Sequence, residues 1–216
     1  MSAQAPSEAP AASGILRRLV RTTLVGLLVL LPLLGVCVVL ALRTPAWWSP
    51  IPREDAAAAE RGAQVEQALV SEFTRVRADA PEWSIRIDQR DANAWLATRL
   101  PAWLESRGLP QAGPVQALMG PGWVRVGVEL PQAIVWWQAS PVVQAGGWKL
   151  EGWRMGAGWM PLPSFGFVTR LGLDQANLEG PIRLADGRQV RVLDLEVLPG
   201  EVRLRLRTEP TQASGR

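Results

Sequence analysis

The stretch VRVLDLEVLPGEVRLRLR, residues 190–207, decides the fold because it joins two alternating runs through a turn. In its second half, Val202, Leu204 and Leu206 alternate with arginines, which is typical of a strand with one dry and one wet face. Pro199-Gly200 separates the two runs and indicates a tight turn. The segment therefore predicts an antiparallel hairpin whose apolar side faces a core.

The same period of two recurs before this hairpin. WSIRID at 83–88 and WVRVGVEL at 123–130 both alternate, and 133–144 and 147–160 are further candidate strands. Strands that are adjacent in sequence usually pair antiparallel. We therefore predict an α+β domain in which a curved antiparallel sheet of five or six strands is covered on one face by a long helix and shorter helices.

Two segments upstream have helical spacing. Residues 53–78 begin with acids, end with arginines and carry apolar residues three, four or seven apart, which predicts the long helix. ANAWLATRLPAWLES at 92–106 predicts a helix that Pro101 breaks, with Asp91 as its N-cap. A short helix is also expected over 161–173, where the chain enters through prolines.

A membrane span is the most distinct feature of the N-terminal region. TTLVGLLVLLPLLGVCVVLAL, residues 22–42, holds 21 residues without a charge. As a helix it is about 31 Å long, which matches the hydrocarbon core of a bilayer. We predict an uncleaved, single-pass signal-anchor; a cleaved signal peptide and a lipoprotein modified at Cys37 are the alternatives.

The flanks of this span predict its orientation and its contacts with the membrane interface. Basic residues on one side place that side in the cytoplasm, and tryptophans next to a span are typical of the aromatic belt. The residues expected at the membrane interface are Arg17, Arg18, Arg21, Trp47 and Trp48.

The resulting organisation has five parts. They are a disordered cytoplasmic tail (1–21), a transmembrane helix (22–42), a Trp/Pro-rich neck (43–52), an extracytoplasmic α+β domain (53–208) and a disordered tail (209–216).

Composition argues against several classes of function. The chain has no His and one Cys, so the commonest general base and the usual zinc ligands are missing. Residues 43–216 carry 20 basic and 19 acidic residues, too balanced for a nucleic-acid-binding face. The paired acids Asp88/Asp91 and Asp194/Glu196 read as a helix cap and as solvated cross-strand partners. We therefore predict no enzyme, no catalytic residues, no cofactor, no metal site and no nucleic-acid partner.

An unusually high number of tryptophans is the distinctive feature of the predicted domain 53–208. Nine of the 11 tryptophans lie at or after residue 83. They either fill a core that lacks Tyr, or line an apolar groove or membrane surface. Trp136 and Trp137 are adjacent on a strand and must point to opposite faces. The candidate ligand- or partner-contact residues are Asn93, Trp95, Trp103, Trp136 and Trp137.

The segment SIRIDQRDANAWLATRLPAWLES, 84–106, resembles one found in uncharacterised single-span bacterial envelope proteins, where a strand leads into a helix beginning acidic-x-Asn-Ala-Trp-Leu. MPLPSF at 160–165 and DGRQVRVLDLEVLPGEVRLRLR at 186–207 fit the same layout. The arrangement over 53–208 is also similar to tubular lipid-binding (TULIP-like) domains. The resemblance implies a non-catalytic, lipid-binding envelope domain, and it marks Asn93 as a polar residue of its motif.

Two functions from different classes follow as expectations. The first is a domain in the bacterial inner (cytoplasmic) membrane, anchored by one span with its N-terminus cytoplasmic, that binds membrane lipid or another apolar ligand. The second is an envelope scaffold or accessory subunit that docks a protein partner. An enzyme that uses carboxylates is a third, less supported hypothesis.

Overall fold

The structure is a computed structural model that describes residues 11–76, 81–108, 113–163, 178 and 180–209. The chain divides into two compact units, Met1–Leu40 and Ala41–Arg216. The described helices are α1 (Ala11–Leu42), α2 (Ala56–Thr74), α3 (Gln89–Thr98) and α4 (Leu100–Ser106). The described strands are β1 (Glu82–Asp88), β2 (Val115–Gly120), β3 (Trp123–Glu129), β4 (Ile134–Gln144), β5 (Gly147–Ala157), β6 (Met160–Leu162), β7 (Ile182–Arg183), β8 (Gln189–Leu198) and β9 (Glu201–Glu209).

Helix α1 contains the predicted span. Thr23–Leu42 has a mean hydropathy of 3.0 and is long and apolar enough to cross a membrane, a property that a signal sequence shares. The helix begins at Ala11, inside the segment predicted to be a disordered tail. The remaining parts of the predicted tails, 1–10 and 210–216, lie outside the described residues.

Helix α2 is shorter than the helix predicted over 53–78. Asp55 caps its first turn by accepting hydrogen bonds from the amides of Ala57 and Ala58. The helix ends at Thr74 because Arg75 has extended backbone angles. With 19 residues, α2 is about 28 Å long.

Helices α3 and α4 confirm the predicted break at Pro101, which lies in the first turn of α4. The predicted N-cap was wrong. β1 runs as far as Asp88, and the Asp88 carboxylate accepts from the amide of Arg90 at 2.8 Å, so α3 begins at Gln89. Asp91 instead lies in the first turn of α3, where its carboxylate forms an ion pair with Arg61 of α2 at 3.2 Å.

The strands form two curled antiparallel sheets instead of the predicted single sheet of five or six strands. The first sheet has the order β1-β9-β8-β7, and the second has the order β2-β3-β4-β5-β6. The predicted hairpin is confirmed: β8 and β9 pair from Leu198 and Glu201 outwards, around Gly200 with φ +83°. Residues 161 and 162 belong to β6, so no helix begins there, and 164–173 lie outside the described residues.

Backbone hydrogen bonds join β8 of the first sheet to turns of the second sheet. The amide of Gly122 donates to the carbonyl of Val197 at 2.8 Å, and the amide of Val192 donates to the carbonyl of Gly146 at 2.8 Å. Leu69 and Phe73 of α2 pack against a buried cluster on the dry face of the first sheet. The cluster consists of Ile85, Val190, Val192 and Leu206. Helix α2 therefore covers part of this sheet, while the second sheet covers another part.

The wet face of the first sheet is charged, as the alternation in β9 predicted. The carboxylate of Glu201, at the start of β9, pairs with Arg86 and with Arg203 at 2.5 Å each. Arg207 pairs with Glu82, and this hydrogen-bonded ion pair lowers the pKa of the Glu82 carboxyl. These residues point away from the second sheet and leave the dry face free to line the interior.

Candidate functional site

An apolar cleft of about 320 Å³ lies between the dry faces of the two sheets. The second sheet contributes Val124, Val126, Trp137, Ala139, Pro141, Trp148, Leu150 and Trp153, and the first sheet contributes Ile87, Leu195, Val202 and Leu204. Every one of these side chains is apolar. The volume falls at the small end of the range for ligand pockets, about 300–1,000 Å³.

Strand alternation places most of these residues in the cleft. In β3, Val124 and Val126 point inwards and Arg125 outwards, while in β9 Val202 and Leu204 point inwards. This agrees with the faces that the sequence predicted. The apolar face of each sheet points into the same space, so apolar side chains line the cleft on two sides.

A β-bulge in β5 adds a residue that simple alternation would exclude. Leu150 and Trp153 are three apart and would lie on opposite faces of a regular strand. The register shifts between Gln138 and Ser140 of β4, and the extra residue in β5 lies beside Gly152, which has φ +64°. The bulge therefore turns both side chains into the cleft.

The lining of the cleft is apolar and carries no charged side chain. The indole N–H of Trp153 is used within the protein, where it donates to the carbonyl of Leu150 at 3.1 Å. What remains for a ligand is aliphatic and aromatic surface, worth about 25 cal/mol per Å² of buried apolar area.

The structure does not bring the five predicted contact residues together. Trp137 lines the cleft, whereas Trp136 points to the outer face of the second sheet. Trp95 is half-buried in α3, and Trp103 is exposed on α4 with the Arg107 guanidinium 5.3 Å from its ring centre. Sequence reasoning missed Trp148 and Trp153, for which strand alternation and the Gly152 bulge were the available signals.

Asn93 is buried and joins α3 to the free edge of β2. Its Oδ1 accepts from the amide of Ala117 at 2.7 Å, and its Nδ2 donates to the carbonyl of the same residue at 3.0 Å. Two residues along β2, the amide of Met119 donates to Oε1 of Gln89 at 2.8 Å. The carbonyl of Met119 accepts from Gly200 at 3.1 Å.

This arrangement depends on a match between helix and strand. Gln89 and Asn93 are four residues apart, about 6.0 Å along a helix. Ala117 and Met119 are two apart, about 6.6 Å along a strand. The α3 side chains therefore take the place of a neighbouring strand, which protects an edge that could otherwise pair with another chain.

The neck packs on the outer face of the second sheet. Gln116 of β2 is buried, and its Nε2 donates to the carbonyl of Trp47 at 3.0 Å while its Oε1 accepts from the amide of Ser49 at 2.7 Å. The rings of Trp47 and Trp48 lie over Gly127 of β3, where a Cβ atom would approach each ring to 2.6 Å. We call these five residues the neck clamp.

Arg125 lies beside the neck clamp among three indole rings. Its guanidinium carbon is 4.6 Å from the ring centre of Trp136, 5.2 Å from Trp123 and 5.5 Å from Trp47. Its Nη2 donates to Oε1 of Gln138 at 2.7 Å. Burial, and secondarily the charge of Arg154, lowers the pKa of Arg125. Cation–π contacts of this kind favour a fixed position for the neck.

The residues expected at a membrane interface occupy two environments. Trp47 and Trp48 are half-buried in the neck clamp. Arg17, Arg18 and Arg21 belong to α1, before the candidate span. A different tryptophan, Trp159, is 50% exposed, and its indole N–H donates to the carbonyl of Thr44 at 2.8 Å.

The paired acids have structural partners away from the cleft. Asp88 caps α3, and Asp91 pairs with Arg61. Asp194 and Glu196 lie opposite Arg205 and Arg203 in the β8–β9 ladder. Within the described ranges, no group of three or more His, Cys, Asp or Glu side chains is placed to hold a metal ion.

Comparisons of the chain with models of protein families, with curated proteins and with solved structures found no match. The cleft, the α3–β2 contact and the neck clamp are therefore the features from which a function is inferred.

Proposed function

We propose that this chain is a single-pass membrane protein whose extracytoplasmic domain binds lipid or another apolar ligand between its two sheets, without catalysis. The observation that carries the proposal is the cleft of about 320 Å³, lined by apolar side chains from both sheets. The resemblance of residues 53–208 to tubular lipid-binding domains is consistent with this proposal and adds no site residue to it.

The size of the cleft limits the ligand. A pocket of this volume suits part of an acyl chain or a small ring system better than a whole phospholipid. Six buried methylene groups would contribute roughly 5 kcal/mol at about 0.8 kcal/mol each. The headgroup of a lipid ligand would remain outside, because no polar side chain lines the cleft to replace its water.

The proposed location is the bacterial inner (cytoplasmic) membrane. Arg17, Arg18 and Arg21 precede the candidate span Thr23–Leu42, and an excess of Arg favours the cytoplasmic side. Retention of α1 distinguishes an anchor from a signal sequence. Intact mass measurement of the protein from membranes decides between them, since cleavage would remove the apolar segment.

The first experiment is lipid extraction from the outer domain purified without detergent. The fragment begins at Ala41, because the compact unit starts there and because Thr44 is bonded to Trp159. We expect mass spectrometry of the extract to find an apolar compound in stoichiometric amount. An empty domain that also fails to bind N-phenyl-1-naphthylamine, a small fluorescent apolar probe, would contradict the proposal.

Filling the cleft is expected to weaken binding of this probe at least tenfold. Val124 and Val126 point inwards and are only half-buried, so Val124→Trp or Val126→Trp places an indole ring where the ligand would lie. Arg205→Trp adds the same side chain on the exposed wet face and serves as the matched control. Fluorescence titration gives the affinity, and a Tm within a few degrees of the parent shows that the variants fold. Equal affinity in all three variants would place the probe elsewhere.

An envelope scaffold that docks a protein partner is the second candidate function. Trp103 favours it, because this side chain is 46% exposed on α4, away from the cleft. If the scaffold function holds, Trp103→Ala in the full-length protein is expected to release a defined partner at least tenfold more readily while leaving probe binding unchanged. Cross-linking in membranes followed by mass spectrometry measures this, with Val70→Ala, an exposed apolar residue of α2, as the control.

A further inference from the structure

We propose that one edge of the second sheet rests in the headgroup layer of the membrane. This membrane edge consists of the β3–β4 turn, residues 130–133, and the β5–β6 turn, Gly158 and Trp159. The inference rests on the anchoring part of the proposed function and is independent of whether the cleft holds a ligand.

Both turns close the same end of the second sheet. The amide of Leu130 donates to the carbonyl of Ala133 at 2.9 Å, which forms the first turn. The amide of Gly158 donates to the carbonyl of Ile134 at 2.8 Å, which places the second turn next to the first. The pairing of Val135 with Ala157 continues this contact into the strands.

The covalent chain brings this end to the membrane. Leu42 is the last residue of the candidate span, and Thr44 follows two residues later. Two residues of extended chain reach at most about 7 Å. Since the carbonyl of Thr44 accepts from Nε1 of Trp159 at 2.8 Å, the indole N–H lies at most one carbonyl group and one hydrogen bond beyond that reach.

The surface chemistry of the edge fits a headgroup layer. Leu130 is 49% exposed and Trp159 is 50% exposed, and LPQA at 130–133 together with Gly158 and Trp159 contains no charged residue. The guanidinium of Arg43 lies 5.1 Å from the ring centre of Trp159, where a cation can meet lipid phosphate. An indole ring with an apolar body and a bonded N–H is a preferred interfacial side chain.

The neck clamp explains why Trp159, and not the tryptophans nearest in sequence, is the better candidate for this contact. Trp47 and Trp48 follow the span directly but are half-buried against Gly127. Trp159, by contrast, is 50% exposed. The opposite end of the sheet, at Gln144, lies about 30 Å along β4 from Ile134 and is therefore the position of comparison for the membrane edge.

The test places a fluorescent label at single cysteines of the full-length protein reconstituted in phosphatidylglycerol/phosphatidylethanolamine nanodiscs. Cys37→Ala removes the native thiol. Leu130→Cys and Gln132→Cys then label the membrane edge and leave the Trp159–Thr44 bond intact, while Gln144→Cys labels the far end as the matched control. Lipids that carry a spin label on the headgroup quench fluorophores at the bilayer surface.

We expect quenching of the labels at 130 and 132 to exceed quenching at 144 at least threefold. Equal or absent quenching at all three positions would overturn the inference. A separate protein labelled at Cys37 reports on the anchor, because lipids spin-labelled deep in the acyl chain should quench it. Deep quenching at Cys37 without quenching at the edge would reject the edge contact and keep the anchor, whereas no quenching at Cys37 would reject the anchor itself.

Discussion

Replacing Asn93 with alanine is expected to lower the free energy of unfolding of the compact unit Ala41–Arg216 by about 3 kcal/mol. The substitution leaves both the amide and the carbonyl of Ala117 without their side-chain partner in a buried position. An unsatisfied buried polar group costs about 1–3 kcal/mol. For a domain of this size the Tm should fall by roughly 6–12 °C. Chemical denaturation and thermal melting of the fragment from Ala41 measure both quantities.

Two further variants define the origin of this loss. Gln64→Ala removes an exposed amide of α2 and should change stability by less than about 0.5 kcal/mol. Asn93→Asp preserves the acceptor for the Ala117 amide but sets a carboxylate oxygen against the Ala117 carbonyl, so it should also destabilise. A loss below about 1 kcal/mol for Asn93→Ala would mean that water replaces the amide and that the α3–β2 contact is weak.

Gly127→Val is expected to displace the neck from the second sheet and to destabilise the unit Ala41–Arg216 by about 2–6 kcal/mol. Even a Cβ atom at this position would come within 2.6 Å of both Trp47 and Trp48, so the rings must move. Overpacking and the loss of ring burial each contribute about 1–3 kcal/mol. Trypsin should cleave the released neck faster at Arg43 and Arg53, both of which are exposed.

A double-mutant cycle separates this clash from a general weakness of β3. In a protein that carries Trp47→Ala and Trp48→Ala, the rings are gone, and Gly127→Val should change stability by less than about 1 kcal/mol. We therefore expect a coupling energy above about 1.5 kcal/mol. Strictly additive effects would show that the valine acts on the strand itself and that the neck clamp is not the cause.

Local periodicity predicted the elements of the fold better than their arrangement. The alternation in 190–207 and 123–130 predicted the hairpin, its wet and dry faces and the direction of Val124 and Val126, because each depends on neighbouring residues. The choice between one sheet and two depends on which strands meet. β1 pairs with β9, more than a hundred residues away, and no short-range pattern specifies that partner.

The site was predicted only in part for the same reason. Alternation predicted that Trp136 and Trp137 face opposite ways but not which of them faces inwards; Trp137 is the one that lines the cleft. Asn93 was marked by a resemblance, but its partner Ala117 lies 24 residues away and depends on how α3 meets the edge of β2. Gln116 reaches the neck 69 residues earlier. Such contacts depend on the arrangement of the two sheets, which local sequence patterns do not specify.

If α1 anchors the chain in a membrane, the docked neck would also limit how far the folded unit moves from its anchor. A free, flexible linker of ten residues would have a root-mean-square span of about 17 Å and would let a tethered domain sweep a hemisphere above the bilayer. Here, hydrogen bonds of Thr44, Trp47 and Ser49 hold the neck against the second sheet, so the neck does not act as a flexible linker. In a membrane-anchored chain, encounters with a ligand or partner would then depend on lateral diffusion in the plane of the bilayer, and lengthening the neck would not extend its range unless the clamp were also broken.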